Sequence, residues 1–204
     1  MLKYQQIYLT QLKIFCSKYI VEFEQIIFYY EPETQRRNNM QADISEEIIN
    51  QALVTYLAKN TRYLTAAQIS QTDDVIKLRA RFSIKESCYL SPGSGHFNAV
   101  EALMCFNQMM YVALLGGIEK KMFPFYTHIT PDEFNRNRRK VYLLEFEKIK
   151  FKKQIDNNSF TGFLEIKPLH KVADKIYVSC RFGFGNTEDC DSFFGNIKAF
   201  LPIL

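Results

Sequence analysis

Four polar residues with acid–base or hydrogen-bonding side chains are grouped around one glycine-rich loop of the sequence. Tyr89 precedes the loop SPGSG, and His96, Asn98 and Glu101 follow it. The apolar run after Asn98 predicts a helix that starts at this point. Free backbone N–H groups and the helix dipole stabilise negative charge at such a start, which suits the binding of an oxyanion or a polarised carbonyl oxygen.

Each of these side chains has a chemical role open to it and an ordinary structural alternative. The Asn98 amide could donate to a carbonyl oxygen, or the residue could only cap the helix. Tyr89 could donate a hydrogen bond or shuttle a proton, or it could be a buried tyrosine bonded to backbone. His96 and Glu101 are candidate general bases, although a loop histidine can cap a helix and the dipole favours an acid in its first turn.

The sequence offers no nucleophile in a recognisable catalytic setting. It has no GxSxG elbow, and Cys105 falls inside the apolar helix, where an inert thiol is expected. The five cysteines are scattered without a CxxC pair, which predicts neither disulfides nor a metal site and favours a reducing, cytoplasmic compartment. Attack by a positioned water or amine is therefore preferred to a covalent acyl-enzyme.

Composition excludes several other classes of protein. The 204 residues are 47% hydrophobic and 15% aromatic, which indicates a folded domain. The formal net charge of +4 is only mildly basic, so it suits an acidic partner such as an acyl carrier protein and does not call for nucleic acid. No window reaches the roughly 18 apolar residues needed for a membrane span.

The elements that position the candidate residues are predicted from hydrophobic periodicity. Residues 9–30 carry an apolar stripe at spacings of three and four, which predicts a helix, and the polar residues 31–39 predict a linker. A second helix is predicted to begin near Asp43, because Asp43 and Glu46 have capping-box spacing. We therefore expect an N-terminal helical extension, residues 1–40, before the main domain of residues 41–204.

The main domain is predicted to have strands around one long helix. That helix covers residues 98–115, is apolar on nearly every side, and has Gly116-Gly117 as its stop signal. Residues 119–140 are expected to form an irregular, charged connection. The predicted strands are residues 63–70, 75–84, 141–155, 160–170, 175–184 and 193–200. An antiparallel sheet of about six strands can curl around one helix, which predicts an α+β hot-dog fold.

The motif GHFNAVEALMCFNQMMY, with FSIKES and YL before the loop, resembles the FcoT-like thioesterases, hot-dog proteins that act on fatty acyl thioesters. The resemblance is strong from Arg62 through Tyr111, weaker over the C-terminal strands, and absent from the first forty residues. Part of the family resembles instead a glycyltransferase branch, which adds glycine across the double bond of an enoyl group on acyl carrier protein. The motif does not separate these activities.

The resemblance implies that Tyr56, Tyr89 and Asn98 line the site, with His96 and Asn107 as further motif members. Asn107 is about half a turn around the helix from Asn98, so we expect it to pair with sheet or dimer backbone instead.

Five further residues are assigned to substrate binding. Lys59 and Arg62 follow Tyr56 on the second helix and could meet a carboxylate or the phosphates of a carrier arm, although solvated helix-end charges are the ordinary interpretation. Ser87, Gly95 and Phe97 belong to the loop and the motif.

The leading expectation is an enzyme that hydrolyses a fatty acyl thioester on coenzyme A or acyl carrier protein. The first alternative is conjugate addition of glycine to a 2-enoyl-ACP in lipopeptide or isonitrile natural-product biosynthesis. The second is a non-catalytic acyl-binding protein. No cofactor or metal is expected beyond the coenzyme A or phosphopantetheine that carries the substrate, and a homodimer is expected because hot-dog pockets are usually built between two subunits.

Overall fold

The computed structural model describes residues 40–89 and 95–204 of the chain. The predicted N-terminal helix and linker lie outside these residues. The elements in chain order are β1 (Met40–Asp43), α1 (Glu46–Ala52), α2 (Val54–Leu57), β2 (Leu64–Thr72), β3 (Val75–Phe82), α3 (Ala99–Glu119), α4 (Pro131–Asn137), β4 (Tyr142–Phe151), β5 (Phe160–Val172), β6 (Lys175–Gly185) and β7 (Phe193–Pro202). Two 3-10 turns, Pro124–Tyr126 and Arg138–Lys140, flank α4.

Seven strands form one antiparallel sheet in the order β1-β2-β3-β5-β6-β7-β4. Alternate residues of β5, β6 and β7 are buried, as expected for strands that have one face on a core. The ring of Phe182 on β6 packs against that of Phe106 on α3, with centroids 4.9 Å apart. The sheet thus encloses α3, and the predicted hot-dog fold is confirmed.

Helix α3 is the core of this fold. It is long and apolar enough to match a membrane span, with a mean hydropathy of 1.3, but 67% of that apolar window is buried inside the protein. A helix that is apolar on nearly every side is stable in water only when other structure covers it. The burial of α3 is therefore the main hydrophobic term of the fold.

Strand β1 and helix α4 were not predicted. Strand β1 has only four residues, three of them exposed, and it pairs with β2 at the edge of the sheet. Helix α4 lies within the connection expected to be irregular. Thr130 caps it in a capping box with Glu133, and Pro131 occupies its first turn. These are recognised start signals, so the sequence did contain the information for α4.

The predicted capping box of Asp43 and Glu46 is wrong. Asp43 is the last residue of β1, and its Oδ1 accepts a hydrogen bond of 2.8 Å from Gln68 Nε2. The N-cap of α1 is Ser45, whose Oγ accepts from the N–H of Ile48 at 3.3 Å. The start of the helix is shifted because β1 continues through Asp43 before the chain turns.

The interpretation of Gly116-Gly117 as a stop signal is also wrong. Helix α3 continues through both glycines to Glu119 and ends where Lys121 adopts a left-handed φ of 56°. There, the N–H groups of Lys121 and Met122 donate to the carbonyls of Ile118 and Gly117, at 3.0 and 2.8 Å, as in a Schellman motif.

The two glycines instead permit close packing. A Cβ on Gly116 would lie 2.7 Å from Cδ1 of Ile44, and one on Gly117 would overlap the buried ring of Phe123.

We expect Gly117→Ala to destabilise the protein by about 1–3 kcal/mol, because the added methyl group cannot fit against Phe123 without displacing it. If Gly117 only weakened the helix, alanine would instead stabilise it by up to about 1 kcal/mol. Urea unfolding measures the sign of the change. In a Phe123→Leu background the penalty should shrink, and a penalty of the same size there would contradict the contact as its cause.

Candidate active site at the start of α3

The start of α3 is closed by a reciprocal capping box. Asn98 is the N-cap, and its Oδ1 accepts from the N–H groups of Val100 and Glu101 at 3.0 and 3.3 Å. Glu101 Oε2 accepts in return from the N–H of Asn98 at 3.3 Å. The ordinary structural role of each residue is therefore real. Capping uses only one of the two terminal polar atoms of each side chain, Oδ1 of Asn98 and Oε2 of Glu101.

The remaining polar atoms are buried without a hydrogen-bond partner among the described residues. They are Nδ2 of Asn98 and Oε1 of Glu101, together with Oγ of Ser87. Leaving a buried donor or acceptor unpaired costs about 1–3 kcal/mol, so native proteins rarely do so without a reason. An unused donor and an unused acceptor at one helix start are the polar groups that a bound substrate could satisfy.

Tyr89 belongs to the same group. Its pKa is raised first by desolvation and then by the negative charge of Glu101, while the Asn98 side chain acts in the opposite direction. Asn98 is thus close enough to stabilise the phenolate, although its Nδ2 completes no hydrogen bond of normal geometry. A raised pKa keeps the phenol protonated at neutral pH, so it can donate a hydrogen bond. Tyr89 itself is 44% exposed.

The segment before the loop is fixed by Tyr63, a residue that sequence reasoning missed. Its hydroxyl accepts from the N–H of Cys88 at 3.0 Å and donates to the carbonyl of Glu86 at 3.4 Å. Desolvation and then the side chain of Cys88 raise the pKa of Tyr63, the N–H of Cys88 acts in the opposite direction, and Glu101 adds a further increase. Cys88 Sγ also lies 3.1 Å from Met104 Sδ on α3. These contacts hold Ser87 and Tyr89 against the helix start.

Residues 95–97 divide into an exposed part and an anchor. Gly95 is exposed, with a φ of 71° that favours glycine, and His96 is exposed next to it. Phe97 is only 4% exposed and packs on Phe160 and Phe184, with centroids 4.7 and 5.2 Å away. The ring thus anchors the start of α3 in the core, and the assignment of Phe97 to substrate binding stays a prediction.

Tyr56 lies further along α3 than the other candidates. Its pKa is raised to about 12, first by burial and then by Tyr111, while Arg138 acts in the opposite direction and Cys105 contributes a smaller increase. Cys105 is one turn beyond Glu101, and burial raises the pKa of its thiol well above the usual value. The structure thus separates Tyr56 from the Asn98 cluster and places it beside the middle of α3.

The guanidinium of Arg62 is partly exposed, and protein groups occupy its donors. It donates to both carboxylate oxygens of Glu46 at 2.7 and 3.0 Å, to Asn50 Oδ1 at 2.5 Å and to the carbonyl of Leu64 at 3.1 Å. The bond from Arg62 is the main reason that the pKa of Glu46 is lowered. Arg62 therefore ties α1 to β2. Lys59 is exposed just after α2, and its assignment to substrate binding stays a prediction.

Gln108, the neighbour of Asn107, pairs with backbone at the start of β2, while the pairing expected of Asn107 with sheet or dimer backbone stays a prediction. Gln108 is fully buried, and its Oε1 accepts from the N–H groups of Tyr63 and Leu64, both at 3.0 Å. Its Nε2 donates to the carbonyl of Thr61 at 2.8 Å. Asn107 instead lies half-buried. Gln108 links the middle of α3 to the start of β2, and so to Tyr63.

A family model described as an FcoT-like thioesterase domain matches residues 51–193, most of the described chain. This chain belongs to that family. The FcoT-like match includes α3, the Asn98 capping box, Tyr56, Tyr89 and Gln108. The resemblance stated from the GHFNAVE motif is thereby confirmed.

Three relatives of this FcoT-like chain share the name (2E)-enoyl-[ACP] glycyltransferase. The Mycobacterium bovis protein is 30% identical over 129 residues, which are 63% of this chain and 70% of the relative. The Mycobacterium marinum protein is 28% identical over 76% of this chain and 85% of its own. The Streptomyces coeruleorubidus protein is 27% identical over 63% and 76%. A solved thioesterase superfamily structure is 11% identical, with a TM-score of 0.36 over 67% of this chain and 53% of its own.

We expect Gln108→Leu to destabilise the protein by at least about 3 kcal/mol, because each buried N–H or C=O left unpaired costs about 1–3 kcal/mol. Asn107→Leu is the matched control, and its free energy of unfolding should stay within about 0.5 kcal/mol of the parent. Urea unfolding of both variants measures the difference. Equal losses would show that Gln108 does not support the junction of α3 and β2.

Proposed function

We propose that this chain adds glycine to a 2-enoyl thioester carried on an acyl carrier protein. The observation that carries the proposal is the buried, unused Nδ2 of Asn98 at the positive end of α3, beside the unused Oε1 of Glu101. The shared name of the three relatives favours glycine addition over the hydrolysis that led the sequence-based expectations. The name shared by the three relatives describes one reaction, whereas the description of the family as thioesterase-like is broader, so the name carries more weight.

The proposed reaction uses the site as follows. The amine of glycine attacks the β-carbon of the enoyl group, and the π electrons move onto the thioester oxygen. Asn98 Nδ2 and the dipole of α3 stabilise the enolate that results. Glu101 Oε1 accepts a proton from the new ammonium group and returns it to the α-carbon as the carbonyl re-forms, so the addition consumes and releases no net proton. Tyr89 donates a hydrogen bond that orients the thioester.

Thioester hydrolysis is the second candidate. The buried carboxylate of Glu101 favours it, since the same Oε1 could accept a proton from an attacking water. Both reactions place negative charge on the same oxygen, so Asn98 has one role in either. They differ in the nucleophile and in the carbon that is attacked.

A carrier protein loaded with a trans-2-decenoyl group distinguishes the two reactions when it is incubated with and without glycine. We expect the carrier-bound chain to gain the mass of one glycine, with little free acid, by mass spectrometry of the intact carrier. Release of free acid independent of glycine would support hydrolysis instead. Binding of the loaded carrier without either product would support a non-catalytic acyl-binding protein.

In the same assay, Asn98→Asp and Asn98→Ser separate capping from catalysis. Aspartate and serine cap helices about as well as asparagine, but neither offers the amide donor. We expect kcat to fall about 10²–10³-fold in both variants, as on loss of an oxyanion donor, while the melting temperature stays near that of the parent. Full activity in the serine variant would rule out the proposed role of Nδ2.

We further propose that the active form is a homodimer paired through β4. This strand is an edge of the sheet, and its large apolar side chains are 40–51% exposed; they are Tyr142, Leu144, Phe146, Ile149 and Phe151. An apolar edge strand is a template for pairing with another chain. Phe151 packs on Phe193, which also contacts the Phe97 anchor, so a second copy on β4 would lie near the candidate site.

Sedimentation equilibrium tests the dimer. We expect twice the chain mass for the parent and a shift to monomer for Phe146→Lys, because lysine places a charge in the centre of the proposed interface. Leu169→Lys changes an equally exposed apolar residue on β5 and should leave the mass unchanged. A parent protein that is monomeric at micromolar concentration would contradict the proposal.

A further inference from the structure

We propose that α2, α4 and the Arg138–Lys140 turn form a docking surface for an acyl carrier protein. We propose in addition that the outer side of α3 guides its phosphopantetheine arm to Asn98. We call the first feature the carrier surface, formed by Val54, Leu57 and residues 136–140. The inference rests on the proposed function only in naming the carrier protein as the partner.

The carrier surface has an excess of positive charge. Arg136, Arg138, Arg139 and Lys140 fall within five consecutive residues, and none of them forms an ion pair with a described residue. Against these four cations, α4 carries only two acids, Asp132 and Glu133. Asp132 accepts a hydrogen bond from Gln51, and Glu133 closes the cap of α4 with Thr130. The local field therefore favours an acidic partner.

The side chains of this surface suit a partner helix that carries both acidic and apolar residues. A shallow, open depression of about 310 Å³ is lined by Val54, Asp132, Asn135, Arg136 and Arg138. On α2, Val54 and Leu57 are 50% and 45% exposed, which places apolar area beside the cations. An apolar centre with a charged rim is the usual composition of a protein–protein interface.

Arg138 connects this surface to α3. Its guanidinium donates to the carbonyl of Ala52 and to Asn135 Oδ1, both at 3.2 Å, so its position is fixed. The same guanidinium lies 5.7 Å from the ring centroid of Tyr111 on α3, and it influences the pKa of Tyr56. Tyr56 and Tyr111 therefore lie directly behind the carrier surface.

From Tyr111, a partly exposed stripe of α3 leads back to the candidate site. Val100 is 46% exposed, and Met104, Asn107 and Tyr111 are half-buried, at the spacings of three and four that share one side of a helix. Thirteen residues separate Asn98 from Tyr111, or about 20 Å along a helix that rises 1.5 Å per residue. A partner held at the carrier surface could reach Asn98 only through a long, flexible arm.

This separation favours a carrier protein as the occupant. The phosphopantetheine arm of a carrier bears the thioester at its far end, so docking and chemistry can occur at two places. A nucleic acid would need a larger basic area than these few cations in a chain of net charge +4.

The test reverses two exposed cations that contact neither Tyr56 nor Tyr111. The variant is Arg139→Glu/Lys140→Glu, and the matched control is Lys167→Glu/Lys171→Glu, which makes the same charge change on exposed residues of β5. Binding is measured by fluorescence anisotropy with a labelled acyl carrier protein that carries a trans-2-decenoyl arm. Turnover is measured with this carrier and with trans-2-decenoyl-pantetheine, which has the arm but no protein.

We expect the Arg139/Lys140 variant to raise Kd and KM for the carrier about tenfold or more at low salt, with little change for the control pair. Turnover of the pantetheine thioester should change less than about twofold, because the charges that steer the carrier do not touch the arm. Unchanged carrier binding in the variant would overturn the carrier surface and leave the proposed function intact.

Failure of the proposed function gives a different result. If the parent protein turns over neither substrate, glycine addition and hydrolysis are both rejected, while the anisotropy measurement still decides whether the carrier binds at this surface. Equal losses with carrier and pantetheine substrates would also overturn the carrier surface, since they would indicate damage to the catalytic site.

Discussion

The burial of the first turn of α3 is the constraint on which the rest of this structure depends. Phe97 is held in the aromatic core, so the residue after it, Asn98, must begin the helix at a fixed depth. The capping box then satisfies the first backbone donors with half of each side chain. Because Asn98 and Glu101 cannot turn away without exposing those donors, their other halves stay buried and unpaired. Helix capping thus also preorganises the candidate site.

The surrounding elements hold the start of α3 in a fixed position relative to the segment before the loop. Gln108 fixes α3 to the backbone at the start of β2, and Tyr63 in that same stretch reaches forward to Cys88. Tyr89 is therefore positioned by hydrogen bonds that begin at Gln108 on α3 and end at Cys88, the residue before Tyr89. Polar networks of this kind are specific, because any break in them leaves buried groups unpaired.

Sequence patterns predicted the parts of this architecture that depend on local periodicity. The β2–β3 hairpin, the four later strands and the apolar helix all followed from alternation or from an apolar run. The end of α3 did not, because a Gly-Gly pair fits both a helix stop and a close contact. Only the positions of Ile44 and Phe123 in the fold decide between the two. The left-handed residue that does end the helix is a lysine, for which no sequence signal exists.

The position of the candidate site could be predicted from the sequence, but the hydrogen-bonding state of its atoms could not, because that state depends on residues distant in sequence. The capping roles of Asn98 and Glu101 follow from sequence spacing, but their unpaired atoms depend on what the fold brings near them. Arg62 was assigned to a ligand because it follows Tyr56 at helical spacing, whereas the fold supplies Glu46 and Asn50 as its partners.

The remaining choice between water and glycine as the nucleophile depends on access to the Asn98 cluster. One oxygen develops the negative charge in both reactions, so a preorganised donor at the start of α3 accelerates either one. Selectivity must therefore come from groups that bind the nucleophile or exclude water from it. Tyr89 is 44% exposed, so one member of the cluster is in contact with solvent. Water would reach an unprotected acyl carbon there as easily as an amine would reach the β-carbon. A selective glycine-adding enzyme consequently needs this cluster covered while the carrier-bound substrate occupies the site.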